Sequence, residues 1–362
     1  MIYRIILGLR HLFYDKGWKK SFKADVPTVC VGNVTVGGTG KTPHTELVLK
    51  ILSRSDDWAY RNIAMLSLGY RRKSKGFQKV SREGTALQFG DEPVQVARKF
   101  PAVTVAVDKD RVEGCRFLTH PEELQTAKKA RHCVDKDIPA SDVIVLDDAF
   151  QHRRLRCDVN IVLIDYNRPV NKDRLLPWGR LRDLPSRVKA ADVIVVTKCP
   201  ASLDDWERSQ WTRQLQLREG QKLFFTTLAY GQMEPVFPEG DIRYTYSQRL
   251  ALFTGIANDA PLRSYLSDTY KIVKRMGFPD HHRYTSADIR TLRSAVKEFP
   301  TACLVTTEKD ARRVAEVEGL PVELKARMFY VPVEAAFFSE ADAAAFEALL
   351  LERLRTAAAE RS

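Results

Sequence analysis

Apolar residues in this chain fall into short runs separated by longer mixed stretches. Runs rich in Val and Ile occupy positions 28–34, 63–68, 103–107, 143–146, 159–164 and 193–197, with further runs at 252–254, 303–306 and 328–333. Most are of strand length, apolar at successive rather than alternate positions, and end in polar residues or glycine. This pattern predicts parallel strands buried on both faces, helices between them, and functional residues at the strands' carboxyl ends. The tail from Ser339 is rich in Ala, Leu and Glu and predicts a single helix with Ser339 as its N-cap.

The first twenty residues, MIYRIILGLRHLFYDKGWKK, follow another rule. Ile2, Tyr3, Ile5, Ile6, Leu7, Leu9, Leu12 and Phe13 are interleaved with Arg4 and Arg10 and followed by Lys16, Lys19 and Lys20. The stretch lacks the cleavage site of a secretory signal and the uninterrupted apolar length of a spanning helix. It predicts a basic amphipathic helix lying on an anionic membrane surface, with a helix packed on the protein's own core as the competing expectation. The polar bridge QHRRLRCD at 151–158 suggests a domain crossover. The expected organisation is therefore a membrane-associated helix at 1–20, a first core at 21–155, a second α/β domain at 156–330, and a strand and helix at 331–362 returning to the first core.

Composition narrows the function classes. With 362 residues, 44% hydrophobic and 29% charged, the chain can bury the cores of two domains, which excludes a disordered or collagen-like protein. Lys and Arg number 58 against 46 Asp and Glu, a net charge of +12 that favours anionic partners such as nucleotides, nucleic acid, phospholipid headgroups or an acidic substrate. The six cysteines, at 30, 115, 133, 157, 199 and 303, form no CxxC pair, so buried reduced thiols are expected rather than a zinc ribbon or redox dithiol.

The strongest local signal is VPTVCVGNVTVGGTGKTPHTELVLKIL, a buried strand, a glycine-rich loop and a helix. Thr35 stands where a phosphate loop usually has Gly, but Gly37, Gly38, Thr39, Gly40, Lys41 and Thr42 complete the pattern. Glycines let backbone N–H groups converge on phosphate oxygens, and the helix N-terminus adds positive charge. Lys41 would reach the β- and γ-phosphates, and the Thr42 hydroxyl would ligate magnesium. SDVIVLDDAF supplies a second element, an apolar strand ending in Asp147 and Asp148, the carboxylates expected to hold the metal. The fold class expected is thus α/β, a P-loop NTPase-type, mostly parallel sheet with a second smaller α/β domain.

A phosphate loop implies nucleotide binding without fixing a reaction. GDEP at 90–93 and FPDHHRYT at 278–285 offer a carboxylate and histidines of the kind a kinase uses to take a proton from an alcohol. DDAFQHRRL carries Gln151, His152, Arg153 and Arg154 straight on from the metal carboxylates, and such basic groups can hold an anionic acceptor. The competing reading is a P-loop regulatory ATPase of the partitioning or metal-insertion type, in which the basic surface would meet nucleic acid.

GNVTVGGTGKTP, GDEP, DDAFQHRRL, GRLRDLP, GIAN, FPDHHRYT and TTEKD occur in this order over most of the chain. In them the sequence resembles the tetraacyldisaccharide 4'-kinase, or lipid A 4'-kinase, family. The resemblance implies transfer of the ATP γ-phosphate to the 4'-hydroxyl of a tetraacyldisaccharide 1-phosphate, with ATP and Mg2+ as cofactors. It implies work at the cytoplasmic face of a bacterial inner membrane, with anionic membrane lipid as a second partner and no nucleic acid. By the same resemblance Lys41 and Thr42 are the phosphate-loop pair, and Asp147 and Asp148 the metal carboxylates. Asp91 is the acidic member of a base dyad whose partner is His281, with His282 second. Asp183 stands where the family often has Glu and is a magnesium contact by position. Gln151, His152, Arg153 and Arg154 fall on the acceptor side. Leu68 replaces an arginine usual in the family, a charge that Arg71 or Arg72 could supply.

Overall fold

Successive apolar residues let both faces of a strand be covered, and nine strands assemble on that basis in the computed structural model, which describes residues 2–280 and 282–361. They are β1 (Thr28–Asn33), β2 (Ile63–Ser67), β3 (Gln78–Lys79), β4 (Thr104–Val107), β5 (Val143–Asp147), β6 (Val159–Asp165), β7 (Val193–Thr197), β8 (Lys222–Tyr230) and β14 (Val333–Phe337). Their order is β14-β8-β7-β6-β1-β5-β2-β4-β3. β1 lies between β5 and β6, parallel to both, and only β3 is seen to run antiparallel to its neighbour. Alternate side chains serve two cores. Val29, Val31, Ile63 and Met65 belong to one face, Cys30, Ala64, Leu66 and Leu146 to the other. The C-terminal helix Glu340–Ala359, capped by Ser339, lays Phe346, Leu350, Leu351 and Leu354 on the first of these faces.

The chain divides into one unit running to Leu228 and resuming at Ala335, and a second from Ala229 to Glu334. The boundary expected at 155/156 is therefore corrected. β6 and β7 do not open a second domain; β6 pairs with β1 and β7 with β6. The bridge at 151–158 is too tightly held to start a new domain. Phe22 and Leu155 form a parallel bridge, and the Phe22 N–H and carbonyl bond Arg154 O and Arg156 N at 2.7 Å each, which delivers the chain directly alongside β1.

The second unit has its own five-stranded sheet, order β11-β10-β12-β13-β9, from β9 (Glu234–Pro235), β10 (Arg249–Thr254), β11 (Lys271–Gly277), β12 (Cys303–Thr307) and β13 (Met328–Val331). β10 to β13 are parallel and β9 is antiparallel to β13. GIAN, FPDHHRYT and TTEKD all leave the carboxyl ends of its strands, and Asp310 of TTEKD accepts the Gly255 N–H of GIAN at 2.8 Å.

The N-terminal segment forms helix α1 (Ile2–Asp15). Tyr3, Leu7 and His11, spaced four apart, line one face. Leu7 and His11 are buried, and the Tyr3 hydroxyl donates to Arg182 O at 2.9 Å. Ile2, Ile5, Ile6, Leu9 and Leu12 stay between 41% and 75% exposed. One face thus packs on the protein while an aliphatic stripe points away from it. No helix among the described residues is long and apolar enough to cross a membrane.

Candidate active site

Every charged group of the phosphate-binding region of the first unit stands at the carboxyl edge of the nine-stranded sheet, where strand ends leave backbone groups unpaired. β1 runs out into the loop 34–40, and helix α2 (Lys41–Arg54) begins at Lys41. Gly37 and Gly40 adopt φ of 97° and 84°, a region closed to most side chains, which is why this loop needs glycine at both. The Val36 N–H bonds Arg180 O at 2.7 Å, and Thr39 Oγ1 accepts from Asn33 Nδ2 at 2.6 Å. Thr35 lies next to the same Asn33 amide at 3.4 Å, so at the place of the usual glycine it serves as a loop tether. Gly32 is fixed by space, since a Cβ there would lie 2.6 Å from the Phe150 Cβ.

His44, one turn into α2, bonds Gly40 O through Nδ1 at 2.7 Å and Thr226 Oγ1 through Nε2 at 2.9 Å. A carbonyl only accepts, so Nδ1 carries the proton and Nε2 accepts the hydroxyl. Burial is the main cause that drops its pKa from 6.5 to about 4, against the pull of the Gly40 carbonyl. The folded pKa is below the unfolded one, so this contribution is complete above pH 6.5 and is lost as pH falls toward 4. Its ceiling is about 3 kcal/mol. The melting temperature is expected to fall between pH 7 and pH 5, and His44→Gln, which cannot titrate, to flatten that fall while lowering stability at pH 7. Thermal denaturation of both chains across this range checks it.

Asp147 and Asp148 end β5. Asp147 is buried, accepts from Ser67 Oγ at 3.1 Å and Thr45 Oγ1 at 3.4 Å, and is raised to about pKa 6 by burial and by the neighbouring Asp148 charge. Asp148 behaves oppositely. Burial would raise it, but the hydrogen bond from Arg182 and the charge of Lys41 outweigh that and hold it below the usual carboxylate range. Lys41 Nζ stands 3.7 Å from Asp148 Oδ2, and Arg182 grips both Asp148 oxygens, one at 3.0 Å, as well as the Asn33 side chain. Asp148 has φ of 53°, a strained conformation for a non-glycine that turns its carboxylate toward the loop. Arg111, only 4% exposed, has its charge opposite both aspartates.

GDEP is pressed against this edge. Gly90 and Gly69 have φ of 97° and 65°, and a Cβ on Gly90 would come 3.0 Å from the Gly69 Cα. Asp91 therefore starts the helix Asp91–Lys99 beside the end of β2, and the charge of Glu92 acts on Asp147. His281 lies outside the described residues. His282, the second choice, faces Asp288 at 3.0 Å and stacks on Phe278 at 4.8 Å within the second unit.

Other expected residues take different partners. Asp183 is 1% exposed and accepts from His11 Nε2 of α1 at 2.6 Å. Among the described residues no three His, Cys, Asp or Glu side chains form a metal-holding group, so Asp183 does not join Asp147 and Asp148; the neighbouring Arg182 does the reaching. Of the residues expected on the acceptor side, Gln151 donates to Asn33 O at 2.6 Å and receives Arg10 on its carbonyl at 2.7 Å. His152 stands 3.8 Å from Asp110, Arg154 pairs with Asp110 at 2.8 Å, and Arg153 pairs with Asp15 at 2.7 Å while donating to His11 Nδ1 at 3.2 Å. Arg72, not Arg71, turns inward. It donates to Gly76 O at 2.7 Å and to Ser74 Oγ at 3.1 Å and is in range of Asp108, whereas Arg71 lies over the Tyr70 ring.

The sequence reading missed a second ring of charges around the loop. Lys198, after β7, donates to Gly38 O and to Asp165 Oδ2 at 2.9 Å, and Arg168 joins Asp165 at 2.9 Å. Thr197 Oγ1 donates to Thr39 O at 2.9 Å. VNIVLID repeats the apolar-run-then-carboxylate form of VIVLD, which was the available signal for Asp165.

A family model described as tetraacyldisaccharide-1-P 4'-kinase matches residues 1–355. A tetraacyldisaccharide 4'-kinase of Phocaeicola vulgatus is 37% identical over 346 residues, 94% of this chain and 89% of that one. One of Porphyromonas gingivalis is 38% identical over 339 residues, 92% and 89% of the two chains. Among solved structures, the "apo" form of LpxK from Aquifex aeolicus in complex with ATP superposes with a TM-score of 0.70 at 26% identity, covering 98% of this chain and 96% of the other.

Proposed function

The chain belongs to the tetraacyldisaccharide 4'-kinase family and is a kinase of lipid A biosynthesis, and on that premise we propose how its own residues carry the transfer. The observation that supports the reading best is the meeting of Lys41 with Asp148, beside Asp147, at the mouth of a glycine-rich loop that starts a helix. The loop N–H groups and Lys41 hold the ATP phosphates. Thr42, Asp147 and Asp148 are hard oxygen donors and fit Mg2+, which is usually held by one or two carboxylates together with substrate phosphates. When bound, magnesium supplies charge neutralisation at the transferring phosphoryl group. Arg182 orients Asp148, and Ser67 and Thr45 orient Asp147. Asp91, with His281 as partner, takes the proton of the 4'-hydroxyl. The test is phosphorylation of tetraacyldisaccharide 1-phosphate by ATP and Mg2+, read as the 1,4'-bisphosphorylated lipid. ATP turnover that does not depend on the acceptor would overturn it.

The outward stripe of α1 supports attachment to the cytoplasmic leaflet of the bacterial inner membrane. Ile2, Ile5, Ile6, Leu9 and Leu12 supply the burial, and each lysine near the surface adds about 1 kcal/mol on anionic lipid. The triple variant Ile2→Ser, Ile5→Ser, Leu9→Ser leaves the inward face intact. It is expected to float at least tenfold less with phosphatidylglycerol vesicles at low salt, with ATP affinity within twofold. Unchanged flotation would count against the helix as the anchor.

A further inference from the structure

Three successive carbonyls of the phosphate loop are tied to side chains outside it. Gly38 O accepts from Lys198 Nζ, Thr39 O from Thr197 Oγ1 at 2.9 Å, and Gly40 O from His44 Nδ1 at 2.7 Å. A trans peptide sets each carbonyl opposite the N–H of the next residue, so these three bonds fix the planes of the three peptides that lead into Lys41. The loop needs such ties. Three of residues 37–40 are glycine, the residue that loses most backbone freedom on being ordered. Ordering that is complete before ATP arrives no longer weakens its binding.

The tie at Gly38 is built differently from the other two, because it carries a charge and a brace. Lys198 follows β7 with φ of 57°, a strained conformation for a non-glycine. Its ammonium is shared between Gly38 O and Asp165 Oδ2, the latter at 2.9 Å. Asp165 ends β6, opposite Thr197 in the register of β6 and β7. It is buried; Arg168 takes the same Oδ2 at 2.9 Å, and the Asn167 N–H bonds Oδ1 at 3.0 Å. Burial would raise its pKa, but the charges of Lys198 and Arg168 outweigh that and keep it ionised. One carboxylate thus anchors two cations beside the loop. Such a cluster can act on a phosphate by holding the loop or by its surplus positive charge, and the contacts Lys198 makes, a loop carbonyl and the brace behind it, are those of a holder.

We propose that Lys198 is a positioning residue for the nucleotide: braced by Asp165, it holds the Gly38 carbonyl, and with it the loop peptides, in the arrangement that receives the phosphates shared by ATP and ADP. The inference rests on the phosphate-loop reading above. The test is calorimetric titration of the full chain and its variants with ATP and with ADP. Lys198→Met is expected to weaken both nucleotides alike, about ten- to a hundredfold in Kd, the worth of a hydrogen bond to a charged group, with kcat at saturating ATP falling by a smaller factor. Asp165→Asn separates holding from charge. It removes a negative charge beside the phosphates, so action through charge would tighten ATP binding, whereas loss of the brace should weaken it as Lys198→Met does. Thr197→Val has a similar shape, removes one neutral tie, and should weaken both nucleotides about threefold; it decides the matter if the other two variants melt before they can be titrated. A loss for ATP with ADP unchanged would overturn the inference, since Lys198 would then touch the γ-phosphate itself. So would tighter ATP binding by Asp165→Asn, or unchanged affinities in Lys198→Met or Thr197→Val. A parent chain that binds neither nucleotide would overturn the phosphate-loop reading and the inference with it.

Discussion

Replacing Lys41 by alanine is expected to lower kcat by about three orders of magnitude or more. Phosphoryl transfer asks the protein for position and for positive charge at oxygens that gain negative charge, and removing one preorganised group of this kind typically costs a hundred- to a thousandfold. Lys41 has a second duty here that adds to the loss. Together with Arg182 it holds Asp148 ionised against burial, so its removal also loosens the carboxylate assigned to magnesium. Lys41→Arg keeps the charge but not the reach and is expected to stay at least a hundredfold down. Single-turnover rates with saturating ATP separate this from weaker nucleotide binding. A Lys41→Ala chain that phosphorylates the lipid at a near-normal rate would remove the phosphate-loop assignment.

Asp91→Ala is expected to depress kcat about a hundred- to ten-thousandfold, the usual worth of a general base, with the KM for ATP little changed. His281→Ala should fall in the lower part of that range. If the two act as one unit, the double variant should be little worse than Asp91→Ala alone. Losses that multiply would argue against a dyad. The position of Asp91 makes Asp91→Asn the more telling change, because the amide preserves the helix start behind Gly90 while giving up the proton acceptor. Recovery of activity by Asn would reassign Asp91 to a positioning role.

Much of the first sheet was legible in the sequence because its strands are buried on both faces. β1, β2, β4, β5, β6 and β7 lie within a residue or so of the apolar runs, and Lys41, Asp147 and Asp148 sit at the edge such strands imply. β8 and β11 were not read as strands. KLFFTTLAY mixes threonines with aromatics and is only partly buried, and KIVKRMG is the charged outer strand of its sheet, so neither shows a continuous apolar run. The domain boundary was misplaced because a polar bridge reads as a linker whether it leads to a new domain or to the next strand of the same one. Arg182, Lys198 and Asp165 escaped because a charged residue beside a phosphate loop looks, in one dimension, like any charged surface residue. Their role comes from parallel strands ending side by side, which only the three-dimensional order supplies.

The inward face of α1 bears on how this protein can be produced. An exposed greasy helix invites a shortened version that begins after it, for the sake of solubility. That cut would strip His11 from Asp183 and Arg10 from the Gln151 carbonyl. It would uncover Asp183, 1% exposed in the intact chain, and leave its Oδ1 only the Leu184 N–H of the two bonds it accepts. Asp183 is covalently next to the arginine that grips Asp148. A truncated preparation would therefore be a poor stand-in for the whole enzyme in inhibitor screening, altered at the residue next to the arginine that holds Asp148. Trimming only the aliphatic stripe, side chain by side chain, gives a soluble version that keeps the wall intact.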